Sequence, residues 1–205
     1  MLAAAALVSA LAAGAANVGG NLAPLLDGMG PDRGPRASPV AAAQRYFHQG
    51  MTLTWGFNSA EAARSFDAAI AVDPRCALCY WGLAWSLGPN VNTDMDAAAA
   101  DRVRNALARA QALMPHASRR TRALVGALTV RHPATDPSGV PDEDAYANRM
   151  RVLARAYPRD ADVATLAAEA MLNLHPYDWW DADGAPRPWT PEIRAQLERA
   201  LAIAP

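Results

Sequence analysis

The chain has 205 residues, enough for one domain with a real core or a short array of repeated units, and too few for two large domains. Hydrophobic residues make up 52% but aromatics only 7%, because alanine supplies much of the apolar count, and such a composition favours close-packed helices over sheets. Acidic and basic residues nearly balance at 20 against 19, and no basic block is interleaved with aromatics, so nucleic acid is not an expected partner.

The opening run MLAAAALVSALAAGAANVGG is apolar and then small, with Ala13-Gly14-Ala15 as a candidate cleavage site. It lacks a basic start, since no Arg or Lys precedes Arg33, and Leu2 to Ala16 is too short to cross a bilayer. We read residues 1–16 as a signal peptide and 17–39, with their glycines and prolines, as a flexible linker. Export to the periplasm or beyond is expected, with the cytoplasm as the alternative, and no stable membrane span.

Four phrases then end alike: AIAVDP at Pro74, AQALMP at Pro115, LARAYP at Pro158 and ALAIAP at Pro205. Each closes an alanine-rich stretch, and the lengthening spacing fits a fixed unit of about forty residues with growing insertions. In the first unit Tyr46, Gly50, Leu53 and Phe57 recur at helical intervals, then Ala62, Phe66 and Ala69. This predicts two amphipathic helices, about 41 to 56 and 59 to 72. Gly50 and Ala62 are small where antiparallel helices must touch, and Phe66 is large enough to fill the gap between them. The set Tyr46, Gly50, Leu53, Ala62, Phe66, Ala69, Pro74 resembles the tetratricopeptide repeat.

The second unit enters as ALCYWGLAWSL and leaves as DRVRNALARAQALMP, broken by GPNVNTDM. In that loop Asp94 precedes an alanine-rich run and reads as a helix cap. The glycine and distal glutamate of a calcium loop are missing. The third unit runs from SRRTRALVGALTV to DEDAYANRMRVLARAYP around RHPATDPSGV, and the fourth from DADVATLAAEAMLNL to TPEIRAQLERALAIAP around HPYDWWDADGAPRPW. Asp142 and Asp160 precede helical runs, and Thr190-Pro191-Glu192 reads as an N-cap followed by a first-turn proline. No segment alternates with the period of a strand. The fold class is therefore all-α, and the resemblance implies an α-solenoid of about four stacked helical hairpins over 40–205. A repeat array would need a further helix after Pro205, so the sequence reads as cut short.

The resemblance also implies a groove lined by the first helix of each unit, binding a peptide or partner protein. Phe47 and Met51 from the first unit, with Leu78, Trp81 and Trp85 from the second, are the candidate groove residues. The lysine-dependent grip on a peptide C-terminus found in some members has no counterpart, since every basic residue here is Arg. That absence also excludes a P-loop and Schiff-base chemistry. A second candidate is the long loop of the fourth unit, where His175, Asp178, Trp179, Trp180 and Asp181 could build a ligand pocket or simply pin the loop down.

Catalytic motifs are missing: the four histidines, His48, His116, His132 and His175, are scattered, and no Gly-x-Ser-x-Gly, HExxH or Gly-rich phosphate loop occurs. The chain reads as a non-catalytic scaffold with no cofactor. Cys76 and Cys79 are the only cysteines. Three residues of helical rise bring their Cα atoms to about 5 Å, within reach of a disulfide, which an oxidising compartment would preserve. The alternative is a metal or redox centre in which His175 joins the thiolate pair.

Overall fold

The computed structural model describes residues 22–31, 34–134 and 139–205. Among these, eight α-helices and no strands occur: α1 (Ala41–Trp55), α2 (Ser59–Val72), α3 (Ala77–Leu87), α4 (Ala97–Leu113), α5 (Arg119–Arg131), α6 (Glu143–Ala156), α7 (Ala161–Leu174) and α8 (Thr190–Ile203). Each helix packs on the next in sequence, while α1 also meets α3, and α3 meets α5. The expected leader, 1–16, lies outside the described residues.

Short polar side chains start most helices by accepting the backbone N–H groups that the first turn leaves unpaired. Asp142 accepts from Ala145 at 2.8 Å and Asp160 from Val163 at 3.0 Å, as expected, and Ser118 accepts from Thr121 at 3.0 Å. The cap of α4 is Asp96, at 2.7 Å from the Ala99 nitrogen, and not Asp94. Thr190 is likewise not a cap. It lies inside α8, and its hydroxyl donates to the Trp179 carbonyl.

Alanines make the close packing possible. Ala62, Ala63, Ala68 and Ala69 of α2 and Ala164, Ala167, Ala168 and Ala170 of α7 are almost wholly buried. The tightest junction holds the Phe66 ring between two glycines. A Cβ placed on Gly50 of α1 would stand 2.8 Å from that ring, and one on Gly82 of α3 would stand 2.3 Å from it. Phe47 meets Phe66 edge-on at 5.7 Å and closes a further side. One aromatic ring thus sets the distance between the first two helical pairs.

One expectation is corrected. Residues 22–31 and 34–39, read as a flexible linker, form an ordered strap over α1. Gln49 donates to the Pro24 carbonyl at 2.9 Å and accepts from the Leu26 nitrogen at 2.7 Å, while Ala23 and Ser38 are buried. Ser38 also donates to Asp73 at 2.5 Å, tying the strap to the end of α2. Phe57, whose spacing continues that of α1 just past the expected end at 56, stands in the turn after α1 with φ 58° and is 60% exposed. The chain leaves the helix there through bonds from Phe57 to Thr54 and from Asn58 to Leu53, the Schellman pattern. Glycine normally takes its left-handed position, but here Gly56 falls one residue early.

Gly82→Ala is expected to cost about 2 kcal/mol, because Phe66 cannot retreat from a new methyl without striking Gly50. Gly126 in α5 has nothing within 4 Å of its missing Cβ. There Ala should stabilise the helix by roughly 0.5–1 kcal/mol. Urea unfolding of both variants checks the opposite signs.

Candidate functional site

The five candidate groove residues do not form one exposed face. Trp81 is 2% exposed and stacks on Trp85 at 5.5 Å, deep in the core. Phe47, Met51 and Leu78, also buried, floor a cleft whose opposite wall includes Arg120, Asp160, Asp162 and Ile203. Trp85 borders a different pocket, and the unpredicted Trp55, half-exposed and edge-on to Trp85 at 4.9 Å, borders both.

The long loop before α8 is pinned to itself and to its flanking helices. His175 stacks on Trp189 at 3.9 Å, and the Trp189 indole donates to the Asp178 carbonyl at 2.7 Å. The Asp178 carboxylate pairs with Arg187 at 2.9 Å. Asp181 accepts the Asp183 and Ala185 nitrogens, Trp179 packs against the core, and Trp180 is half-exposed. Pro176 and Tyr177, rather than these five, face a cleft of about 970 Å³.

Cys76 and Cys79 are joined as a disulfide at the start of α3, with Cα atoms 5.2 Å apart. His175 ends α7 and does not join them; among the described residues no group of three His, Cys, Asp or Glu side chains is placed to hold a metal.

The Trp85 pocket, about 310 Å³, lies between the end of α1, the end of α3 with the Gly88–Val91 turn, α7 and α8. Trp55, Phe57, Trp85, Val91, Leu172 and Leu197 supply its apolar wall, and Glu169 is the one ionisable residue among those lining it. It shares Pro89, Asn90, Val91 and Asn173 with the 970 Å³ cleft.

Beside it lies an ionic cluster that the sequence reading missed. Arg131, with no exposed surface, pairs with Glu143 at 2.8 Å, donates to the Pro89 carbonyl at 2.7 Å and lies 4.8 Å from the centre of the Tyr146 ring. Gly88 makes room, since a Cβ there would stand 3.2 Å from the guanidinium. Glu169 accepts from Asn173 through Oε1, while its Oε2 is sealed from solvent without a hydrogen-bond partner.

The electrostatics follow from burial. Desolvation alone would lower the pKa of Arg131, but Glu169 and Glu143 overcome it and hold the guanidinium charged. Burial raises the pKa of the Glu169 carboxyl despite the opposing pull of Arg131, Asn173 and Trp85. Tyr146 is pushed well up by burial and then by Glu169, so it stays neutral. His132 falls to about 3, first by burial and then by the adjacent Arg131 charge. The cluster thus sets one buried guanidinium beside Glu143 and Glu169, with burial opposing the charged form of Glu169. One clue was readable: Glu169 is a lone carboxylate inside the apolar run ATLAAEAMLNL.

No protein-family model, curated protein or solved structure matches the chain.

His132 gives the cluster a measurable pH signature. Its folded pKa lies below the unfolded 6.5, so its contribution is complete above pH 6.5 and declines as pH falls toward 3. By pH 4 the loss should be on the order of 3 kcal/mol. His132→Gln is expected to flatten the fall of unfolding free energy between pH 6.5 and 4; an unchanged slope would contradict the assignment.

Proposed function

We propose that the chain is an α-solenoid of the tetratricopeptide type, a non-catalytic scaffold that binds a peptide or partner protein in the Trp55–Trp85 pocket and the clefts that share residues with it. One observation carries the binding reading. Trp55 at the end of α1, Phe57 in the turn just after it and Leu197 on α8, 40%, 60% and 38% exposed, ring one pocket although α1 and α8 are far apart in sequence. Scattered exposed apolar residues need no explanation, but a converging set marks a contact surface. The solenoid reading is supported by the packing of α1 on α3 and α3 on α5, and by Phe66 seated between Gly50 and Gly82.

Phe57 sharpens the argument. A phenylalanine in the left-handed region costs about 1–2 kcal/mol relative to glycine, and its exposed ring recovers little of that by burial. Backbone strain of this kind concentrates where a side chain is needed for contact.

The test is selection from a displayed random peptide library. Enriched sequences are expected to bind wild type and to lose at least tenfold affinity on Trp55→Ala. Phe57→Gly should weaken binding while raising stability by about 1 kcal/mol. Absence of enrichment, or binding indifferent to Trp55, would overturn the reading.

The Cys76–Cys79 bond supports an exported, oxidising location, periplasmic or secreted. Protein purified from a periplasmic fraction without reductant should contain no free thiol. Two thiols with stoichiometric copper or zinc would favour a metal centre instead.

A further inference from the structure

The small pocket has a shape and charge that specify more than an apolar partner. At about 310 Å³ it sits at the lower end of the range for bound small molecules, room for one long side chain and not for a folded segment. Its wall is aromatic and aliphatic, with the indole of Trp55 and the ring of Phe57 at the rim and Trp85 inside. Its one ionisable lining residue is Glu169, which accepts from Asn173 through Oε1 and lies beside the Arg131–Glu143 pair.

The adjoining cleft has the same sign. Among its described lining residues Asp94, Asp96, Asp101 and Glu143 outnumber Arg104, with Asp101 paired to Arg104 and Glu143 to Arg131. The two spaces share Pro89, Asn90, Val91 and Asn173, so an extended chain lying in the larger one could lower a single side chain into the smaller. A long apolar stem ending in a positive charge matches this arrangement. The stem takes the place of water against Leu172, Leu197 and Val91, and the cation meets aromatic faces beside Glu169.

Resting on the peptide-binding reading above, we propose that the Trp55–Trp85 pocket is a specificity pocket for a lysine or arginine side chain of an extended peptide, with Glu169 as the charge that selects it. Anionic and uncharged side chains are disfavoured there, the first by repulsion and the second because they leave the carboxylate uncompensated.

The experiment uses four pools of nine-residue peptides with randomised flanks and a fixed central residue: lysine, arginine, norleucine or glutamate. Norleucine keeps the lysine stem without its charge. Fluorescence anisotropy on the full chain should give at least tenfold tighter binding for the lysine or arginine pool than for norleucine, with glutamate weakest. Glu169→Gln should bring the charged and norleucine pools to within twofold of each other. Trp55→Ala should weaken all pools.

The wild-type comparison of lysine with norleucine decides the matter even if a variant folds poorly. Equal binding of those two pools, or a lysine preference that survives Glu169→Gln, would overturn the cation pocket while leaving the peptide groove standing. If no pool binds, both readings fail. Free butylammonium is the control: Glu169-dependent binding of it, without binding of any pool, would assign the pocket to a small amine and overturn the peptide commitment.

Discussion

A single buried guanidinium organises the region on which the functional reading depends. Arg131 stands at the last residue of α5, yet it reaches the loop after α3 through the Pro89 carbonyl, α6 through Glu143 and Tyr146, and α7 through the field of Glu169. Removing one partner of such a pair leaves a buried charge uncompensated, which costs about 3–5 kcal/mol, so the segments are held to one arrangement. The Gly88–Val91 turn is fixed from below by this side chain, and that turn is a shared wall of both clefts. Without Arg131 the loop would lack its anchor and Glu169 its nearest cation.

The apolar framework acts at a different level. Phe66 fixes the spacing of the first helical pairs by filling the gap that Gly50 and Gly82 leave, and the Trp81–Trp85 stack continues that contact along α3. Trp85 then presents its outer side to the pocket, where Trp55 meets it edge-on. Core and cleft therefore share one aromatic series. Between helices the ionic contacts are more exposed: Arg102 with Asp67, Arg151 with Glu192, and Arg120 with Asp160 and Asp162. Such pairs contribute little stability each. Their effect is to tie α4 to α2, α8 to α6, and α5 to the start of α7.

The eight helices were legible because their signals are local: apolar residues at helical intervals, Asp142 and Asp160 at N-termini, and prolines after the closing phrases. Phe66 with Gly50 was legible for a related reason, since large and small residues at complementary positions imply contact. The strap of residues 22–31 and 34–39 was not, because its order comes from Gln49, Gln44 and Asp73 in distant segments and not from its own composition. Phe57 continues the α1 spacing although the backbone has already turned there. The groove residues Trp81 and Phe47 were recognised as anchors, but spacing alone does not say whether an anchor faces a partner or the next helix. The ionic cluster needed tertiary structure altogether: Arg131, Glu143 and Glu169 lie in three different helices, and only Glu169 stood out against its neighbours.

Arg131 and Glu143 are paired directly, and Glu169 is held beside them against the cost of burial. The most direct measurement is an NMR pH titration of the Glu169 side-chain carboxyl carbon in the intact chain. The account predicts a midpoint above 4.5, the ordinary glutamate value, because burial outweighs the attraction of Arg131. A midpoint at or below 4.5 would mean that the attraction of Arg131 and the hydrogen bonds to Glu169 outweigh its burial, and this account of the cluster would be wrong.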